Sequence, residues 1–333
     1  MKAIRFNAIG GPEVLELQEL DIPNAKENEI IVQVKACGIN RAELLFFQGQ
    51  YLFQPEFPAK VGLEASGIIH AIGKNVEDYE VGQEVCLTPN VMPTEYGFIG
   101  EYVAAPIEAV IPKPENIGFE EAAAVWMSYA TAYGGLVFRG GLQDNAGQIV
   151  LISAASSSVG LSAIQVAKNL GAIVIATTRT TDKKDYLLEQ GADYAIATQE
   201  ENLAERVMEI TGGKGFDIAF DPVAGTFVNE LAEAAANEST IVIYGILSLE
   251  DTPLPLFPLL IKGIRIEAVH LVFHILQHPE RFAQTRDHIL KGLAEGKYQP
   301  VIDRIFSLEE AKDAFSYMES NKQKGKILIT INN

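Results

Sequence analysis

Three serines closing on a glycine, Ser156-Ser157-Ser158-Val159-Gly160, form the stretch of this chain best suited to hold an anionic ligand. They follow the apolar run Ile149–Ile152. After them Val159, Ala163, Ile164, Val166, Ala167 and Leu170 recur at helical spacing, and Gly171 stops the pattern. A second apolar run, Ile173–Ala176, comes next, so the whole reads as strand, turn, helix, strand. The helix N-terminus of such a unit offers unpaired N–H groups and partial positive charge, which suit a pyrophosphate. The three positions of a dinucleotide fingerprint would fall on Ala155, Ser157 and Gly160, and only the last glycine is present. Gly160 permits close helix–strand packing, and the serine hydroxyls can donate to phosphate oxygens in place of bare backbone. An ordinary turn with a serine cap is the competing reading.

The end of the second strand narrows the choice. A site for NAD usually carries an acidic residue there, bonded to the adenosine ribose. Here the sequence runs Ala176-Thr177-Thr178-Arg179-Thr180, with Lys183 and Lys184 close behind. Thr178 stands where a carboxylate would, and Arg179 with Lys183 suits a ribose 2′-phosphate, which favours NADPH over NADH. A solvated charged turn is the alternative.

These residues need a frame to position them. Strands and helices alternate from about residue 120: Ile149–Ile152, Ile173–Thr177, Tyr194–Ala197, Asp217–Phe220, Thr240–Tyr244, with Ile266–Leu271 as a possible last strand. Helical runs lie at Asp182–Gln190 and Asn202–Ile210. Alternation of this kind predicts an α/β fold, a doubly wound parallel (Rossmann) sheet. The first third instead carries short strand-like runs, Lys2–Phe6, Leu15–Glu19, Glu29–Ala36, Gly62–Ile72 and Gln83–Thr88, and predicts a β-rich, barrel-like domain with one short helix at Asn40–Gly49. Helical segments at Pro279–Glu295 and Leu308–Glu319 and a strand at Lys326–Ile331 close the chain. The expected division is 1–119 with 268–333 for the β-rich catalytic domain and 120–267 for the dinucleotide-binding domain.

Composition sets limits. A net charge of −18 opposes nucleic-acid binding, and no sustained basic patch offsets it. Cys37 and Cys86 make no disulfide framework and no CxxC pair. The start, MKAIRFNAIGG, lacks the apolar core of a signal peptide, and no apolar run is long enough to span a bilayer, so a cytoplasmic protein without a membrane partner is expected. His270, His274 and His278 stand four apart, a spacing that can bind metal. No nearby cysteine or carboxylate completes a set, and solvated or interface histidines are the favoured reading.

Several motifs resemble one family. They are Ala36-Cys37-Gly38-Ile39-Asn40-Arg41-Ala42-Glu43, Gly49-Gln50-Tyr51, Gly62-Leu63-Glu64-Ala65-Ser66-Gly67, Thr131-Ala132-Tyr133, Asp221-Pro222-Val223-Ala224-Gly225, Tyr244-Gly245 and Gly325-Lys326-Ile327. Together, over essentially the whole chain, they resemble the medium-chain dehydrogenase/reductase superfamily and its zinc-free quinone oxidoreductase branch. The resemblance implies a GroES-like barrel beside the Rossmann domain. It implies Asn40 beside the nicotinamide ribose, Thr131 near the carboxamide, Tyr51 by the nicotinamide and substrate, Tyr244 and Gly245 flanking the cofactor, and the Val269–Leu271 stretch, Leu271 included, near the nicotinamide. Zinc-bearing relatives place ligands where this chain has Asn40 and Leu63, and neither side chain replaces a thiolate or imidazole. No metal is therefore expected. Where the family has a Gly-Gly pair, this chain has Ser157-Ser158.

Phe46, Tyr51, Phe53, Phe57, Met92, Tyr96, Phe98, Trp126 and Tyr129 could line a cleft for a flat acceptor, although several of them could equally fill the core. The expectation is NADPH-dependent, metal-independent hydride transfer to a small hydrophobic quinone or α,β-unsaturated carbonyl, with Asn40 and Tyr51 as catalytic residues. A nonenzymatic NADPH-binding sensor or structural protein, and a zinc-dependent alcohol dehydrogenase, are the alternatives. The resemblance also suggests a homodimer joined near the edge strand Ile266–Leu271.

Overall fold

The computed structural model describes residues 1–331, and in it the alternating apolar runs of the first third become one large sheet. The strand order is Ile302–Ser307, Lys326–Thr330, Glu29–Ile39, Glu64–Ile72, Glu84–Leu87, Val110–Pro112, and Tyr102–Pro106 also pairs with Glu29–Ile39. The pairings are antiparallel except the first, between Ile302–Ser307 and Lys326–Thr330. Glu29–Ile39 serves three neighbours because it is 11 residues long: its first part pairs with Tyr102–Pro106 and its last with Lys326–Thr330, while Glu64–Ile72 runs along most of its length. A smaller sheet pairs Lys2–Phe6 with Leu15–Glu19 and Ala59–Lys60. The core fills with Phe6, Val32, Phe47, Leu87, Phe98 and Phe315. Phe6 meets Phe46 edge-on at 5.8 Å and Phe47 meets Phe315 at 5.2 Å, the geometry ring quadrupoles favour.

The second unit is a six-stranded parallel sheet. Its order is Tyr194–Ala197, Ile173–Thr178, Ile149–Ile152, Phe216–Asp221, Ala235–Ile243, Arg265–Ala268, which is 3-2-1-4-5-6 in chain order. Leu151, Ile175, Val207, Phe216, Leu231 and Ile241 build one core of this unit. The helix Ser158–Asn169 buries Ala163, Ile164, Val166 and Ala167, and Gly171 at φ +74° ends it in the left-handed conformation that glycine adopts without strain. Among the described residues no helix is long and apolar enough to cross a membrane.

The chain divides differently from the sequence expectation. One unit holds Met1–Met127 and the C-terminal residues from Gln299, and the other is Ser128–Tyr298. Residues 268–298 therefore belong with the parallel sheet, not with the barrel. Ile275 packs so closely on Gly134 that a Cβ added there would sit 2.7 Å from it, His288 stacks on Tyr133 at 4.2 Å, and Tyr298 lies 5.0 Å from Tyr129. The last strand of the sheet stops at Ala268 and does not reach Leu271, because the chain turns into a π-helical segment, Val272–Leu276. The strand expected at Thr240–Tyr244 starts earlier, at Ala235, across an irregularity that carries Glu238 at φ +60°. The helices Trp126–Tyr133, Phe227–Ala234 and Leu256–Lys262 had no place in the sequence reading.

Gly160 is the glycine on which the crossover rides. A Cβ there would lie 2.6 Å from both the Cα and the carbonyl oxygen of Ala155, which are backbone atoms that cannot swing aside. The substitution Gly160→Ala is expected to cost about 1–3 kcal/mol by overpacking, read as a lower melting temperature. An unchanged melting temperature would show that the helix does not press on the turn.

Candidate active site

At the C-terminal ends of the parallel strands the chain builds a cradle from the serine turn. Strand order reverses on either side of Ile149–Ile152, the place where ligands bind open α/β sheets. Ala154, at φ +46°, bends the backbone out of the strand in a conformation a side chain resists. Ser157 then caps the helix, its Oγ accepting from Gly160 N at 3.1 Å. That contact uses the hydroxyl as an acceptor and leaves its proton for another group. Lys183 Nζ donates to Ser156 Oγ at 3.4 Å, so this cation folds back on the turn. Ser158 and Val159 open the helix, both half-buried.

The floor behind the turn is polar and buried. Ser153 Oγ donates to Asp221 Oδ1, and Ala224 N donates to Asp221 Oδ2 at 2.7 Å. Burial raises the Asp221 carboxyl despite these donors. Tyr244 stacks on Phe220 at 4.0 Å, and its hydroxyl is buried against Ser157 without a partner at hydrogen-bonding geometry. A buried hydroxyl in that state wants an acceptor, such as a ligand oxygen would supply. Gly245 lies so near Pro222 that a Cβ would meet its backbone at 3.0 Å. Thr178 is buried at the end of its strand, with its carbonyl accepting from Thr198. Arg179, next along, is exposed and makes no ion pair among the described residues, whereas Lys184 pairs with Glu201 at 2.7 Å. Thr131 and Leu271 are buried in the same unit.

The barrel unit holds the other expected residues. Asn40 ends the strand Glu29–Ile39 and opens the helix Arg41–Phe47. Its backbone N–H donates to Glu43, whose other carboxylate oxygen accepts from Leu63 N at 2.7 Å. The Asn40 side chain faces a buried ion pair: Lys326 Nζ donates to Asn40 Oδ1 at 2.6 Å and is bonded to Glu64. Glu64 also accepts from Met127 N at 2.9 Å. Tyr51, Glu43, Phe46, Lys60, Leu63 and Tyr96 line a small cavity. Burial and the nearby Glu43 push the Tyr51 phenol up to about 12, so it stays protonated at neutral pH.

Other expectations fare differently. Phe98, Trp126 and Tyr129 are fully buried core residues, and Phe57 is exposed. Among the described residues no three His, Cys, Asp or Glu side chains come together as metal ligands; His270 instead meets His274 through its backbone N–H and stacks on Phe273. The residue of this polar cluster that sequence reasoning passed over is Lys326, noted only as part of a motif. Its signal was a lysine opening an otherwise apolar strand, KILIT, where a solvated ammonium has no room.

The first part of the chain, residues 26–115, matches the alcohol dehydrogenase GroES-like domain, and residues 158–290 match the zinc-binding dehydrogenase domain. Quinone oxidoreductase-like protein 2 of Bos taurus is 31% identical over 95% of this chain and 89% of its own length. The chain belongs to the medium-chain dehydrogenase/reductase superfamily, in its quinone oxidoreductase-like branch. The Escherichia coli quinone oxidoreductase solved with NADPH is 28% identical, with a TM-score of 0.89 over 99% of this chain and all of that one. A solved NAD-dependent alcohol dehydrogenase, 29% identical, has a TM-score of 0.88 over the full length of both chains. The Ser128–Tyr298 unit is thus a nicotinamide-dinucleotide-binding oxidoreductase fold.

Glu43 gives the site a pH signature. Burial pushes its carboxyl up to about 8, against the opposing pull of Lys326 and the two backbone N–H donors, with Glu64 adding to the rise. A carboxyl raised in this way keeps its proton in the folded chain and sheds it on unfolding. Its contribution is fully present below the ordinary carboxylate range and is lost as pH rises through 8. In denaturant melts, Glu43→Gln is expected to flatten the fall in stability between about pH 5 and 8. An equally steep fall in the variant would remove Glu43 as its source.

Proposed function

We propose that the protein reduces a small hydrophobic quinone or α,β-unsaturated carbonyl with NADPH and without a metal. The observation that carries the metal-free reading is the Lys326 ammonium bonded to the Asn40 carboxamide. The two positions that bear zinc ligands in relatives hold an amide and the buried Leu63, and a fixed cation beside them opposes a second. The serine cradle would hold the cofactor: a helix N-terminus suits a pyrophosphate, a serine proton is available and the buried Tyr244 hydroxyl lacks an acceptor. Bound there, the dihydronicotinamide supplies the hydride. Arg179 carries the choice of NADPH, since it stands unpaired among the described residues at the strand end where an acidic residue would read NAD.

The chain's own residues orient and exclude. Ser156, Ser157 and the N–H groups of Ser158 and Val159 would receive phosphate oxygens, the Gly160 N–H being spent on Ser157 Oγ. In the parallel-sheet unit Thr131, Gly245 and Leu271 would hold the nicotinamide, and in the barrel unit Asn40 would take a ribose hydroxyl. Tyr51, protonated at neutral pH, stands ready as a proton donor to the reduced acceptor, and water is the other source. A quinone needs no Lewis acid, because the hydroquinone product spreads the charge over an aromatic ring. An alcohol would need a proton removed at the start, which is the step a metal assists.

The test is steady-state oxidation of NADPH with ortho- and para-quinones and with enones, on protein whose zinc content has been measured. Turnover in zinc-free protein supports the reading. Tight NADPH binding with no turnover on any acceptor would leave the nonenzymatic reading standing, and activity that tracks bound zinc would restore the alcohol dehydrogenase.

Arg179→Ala is expected to raise the NADPH Kd about tenfold or more, the loss of a charge-assisted hydrogen bond, with little change for NADH. Equal losses for both would end the 2′-phosphate assignment.

We also infer a homodimer through the parallel-sheet unit. Phe257, Leu260 and Ile261, at 79%, 73% and 80% exposed, crowd the helix Leu256–Lys262 beside the unpaired edge strand Arg265–Ala268, and an apolar face with an open edge calls for a partner. Phe257→Lys with Ile261→Lys is expected to halve the mass in sedimentation equilibrium; a wild-type monomer would refute the inference.

A further inference from the structure

The polar cluster around Asn40 fixes more than the fold. A carboxamide has two N–H donors and an oxygen with two lone pairs. In Asn40 both donors are spent inside the protein, on the carbonyl of Gly38 at 3.3 Å and on Glu64 Oε1 at 3.1 Å. The oxygen accepts from Lys326 Nζ at 2.6 Å and keeps one lone pair. The orientation is dictated chemically. Turned over, the amide would point its N–H groups at an ammonium and its oxygen at a carboxylate. Lys326 is 1% exposed, Glu64 is wholly buried and Asn40 is 7% exposed, so water does not blunt either penalty. Gly38 leaves no alternative packing, because any side chain there would strike the carbonyl of Ala123 and the lysine stem.

We propose that Lys326 and Glu64 are positioning residues that lock the Asn40 carboxamide so that it meets a ligand only as a hydrogen-bond acceptor. The group it recognises must then be a donor, a hydroxyl of the nicotinamide-side ribose. The same lock prevents Asn40 from donating to the carbonyl oxygen of the acceptor substrate, so Asn40 sets cofactor position and the proton comes from another group, in the proposed function Tyr51. The inference rests on the reading that Asn40 faces the dinucleotide.

Two paired substitutions that conserve the cluster's charge balance test it. Asn40→Asp with Glu64→Gln exchanges carboxylate and amide across the lysine and keeps an acceptor at position 40. Lys326→Met with Glu64→Gln removes both ions together and frees the amide to turn. Melting curves confirm that each folds before NADPH Kd, cofactor KM and quinone KM are measured. The exchange is expected to weaken NADPH less than Asn40→Leu does. The neutral pair is expected to raise NADPH Kd about tenfold and to leave quinone KM in place, a split that general loosening of the fold would not give. If the exchange loses as much as Asn40→Leu, Asn40 acts as a donor and the proposal fails. It also fails if the neutral pair binds NADPH like the wild type.

Amide proton exchange in the cofactor-free protein separates this proposal from the functional reading. The Asn40 side-chain protons should exchange slowly in the wild type and fast in the neutral pair. Fast exchange in both overturns the lock. Slow exchange in a wild type that binds no NADPH keeps the lock and overturns the function.

Discussion

The buried ion pair between Lys326 and Glu64 is the constraint around which the barrel unit is arranged. Taking two ions out of water costs several kcal/mol each, and mutual attraction offsets that only when the remaining donors and acceptors are used. Here Asn40 and the backbone N–H of Met127 complete the set. The pair therefore holds together the end of the strand Glu29–Ile39, the start of Glu64–Ile72, the first residue of Lys326–Thr330 and the helix that begins at Trp126. The C-terminal strand has to lie against Glu29–Ile39 for the charge to be neutralised. What fixes the topology also fixes the polarity of the candidate site.

The parallel-sheet unit solves a different problem, holding an anion in a chain of net charge −18. Its means are local. A helix N-terminus carries no net charge that the global field could oppose, and in the proposed site serine protons and the Tyr244 hydroxyl would add donors at short range. In the proposed cofactor site serine would take the place of the missing glycines by using its hydroxyl twice, as the acceptor that caps the helix and as a donor to the ligand. The strain appears at Ala154, where the backbone adopts a left-handed conformation with a side chain in place.

Much of this was legible in the residues. The crossover Ile149–Thr178 read correctly because apolar period, helix stop and turn agreed with one another. The five strands expected in the first third formed within a few residues of their expected bounds, whereas Ala59–Lys60, Tyr102–Pro106 and Val110–Pro112 were not anticipated. Legibility failed where tertiary contact overrides local pattern. Residues 268–298 look like the start of the terminal segment, but Gly134, Tyr133 and Tyr129 are what receive them, and small or aromatic residues distant in sequence announce nothing about partners. Phe98, Trp126 and Tyr129 looked like candidates for a ligand surface because an aromatic side chain reads alike in a core and in a pocket. Lys326 was hidden by its charge: a lysine is ordinarily solvated, and only the folded barrel brings Glu64 and Asn40 to it.

The proposed function turns on hydride transfer in a site that needs no metal. Its most direct test is single-turnover oxidation of NADPH, and of NADPH deuterated at C4 of the nicotinamide, by zinc-depleted protein mixed with an ortho-quinone. Metal-free hydride transfer predicts oxidation with a primary isotope effect and no gain in rate when zinc is restored. No oxidation until zinc is added would contradict it.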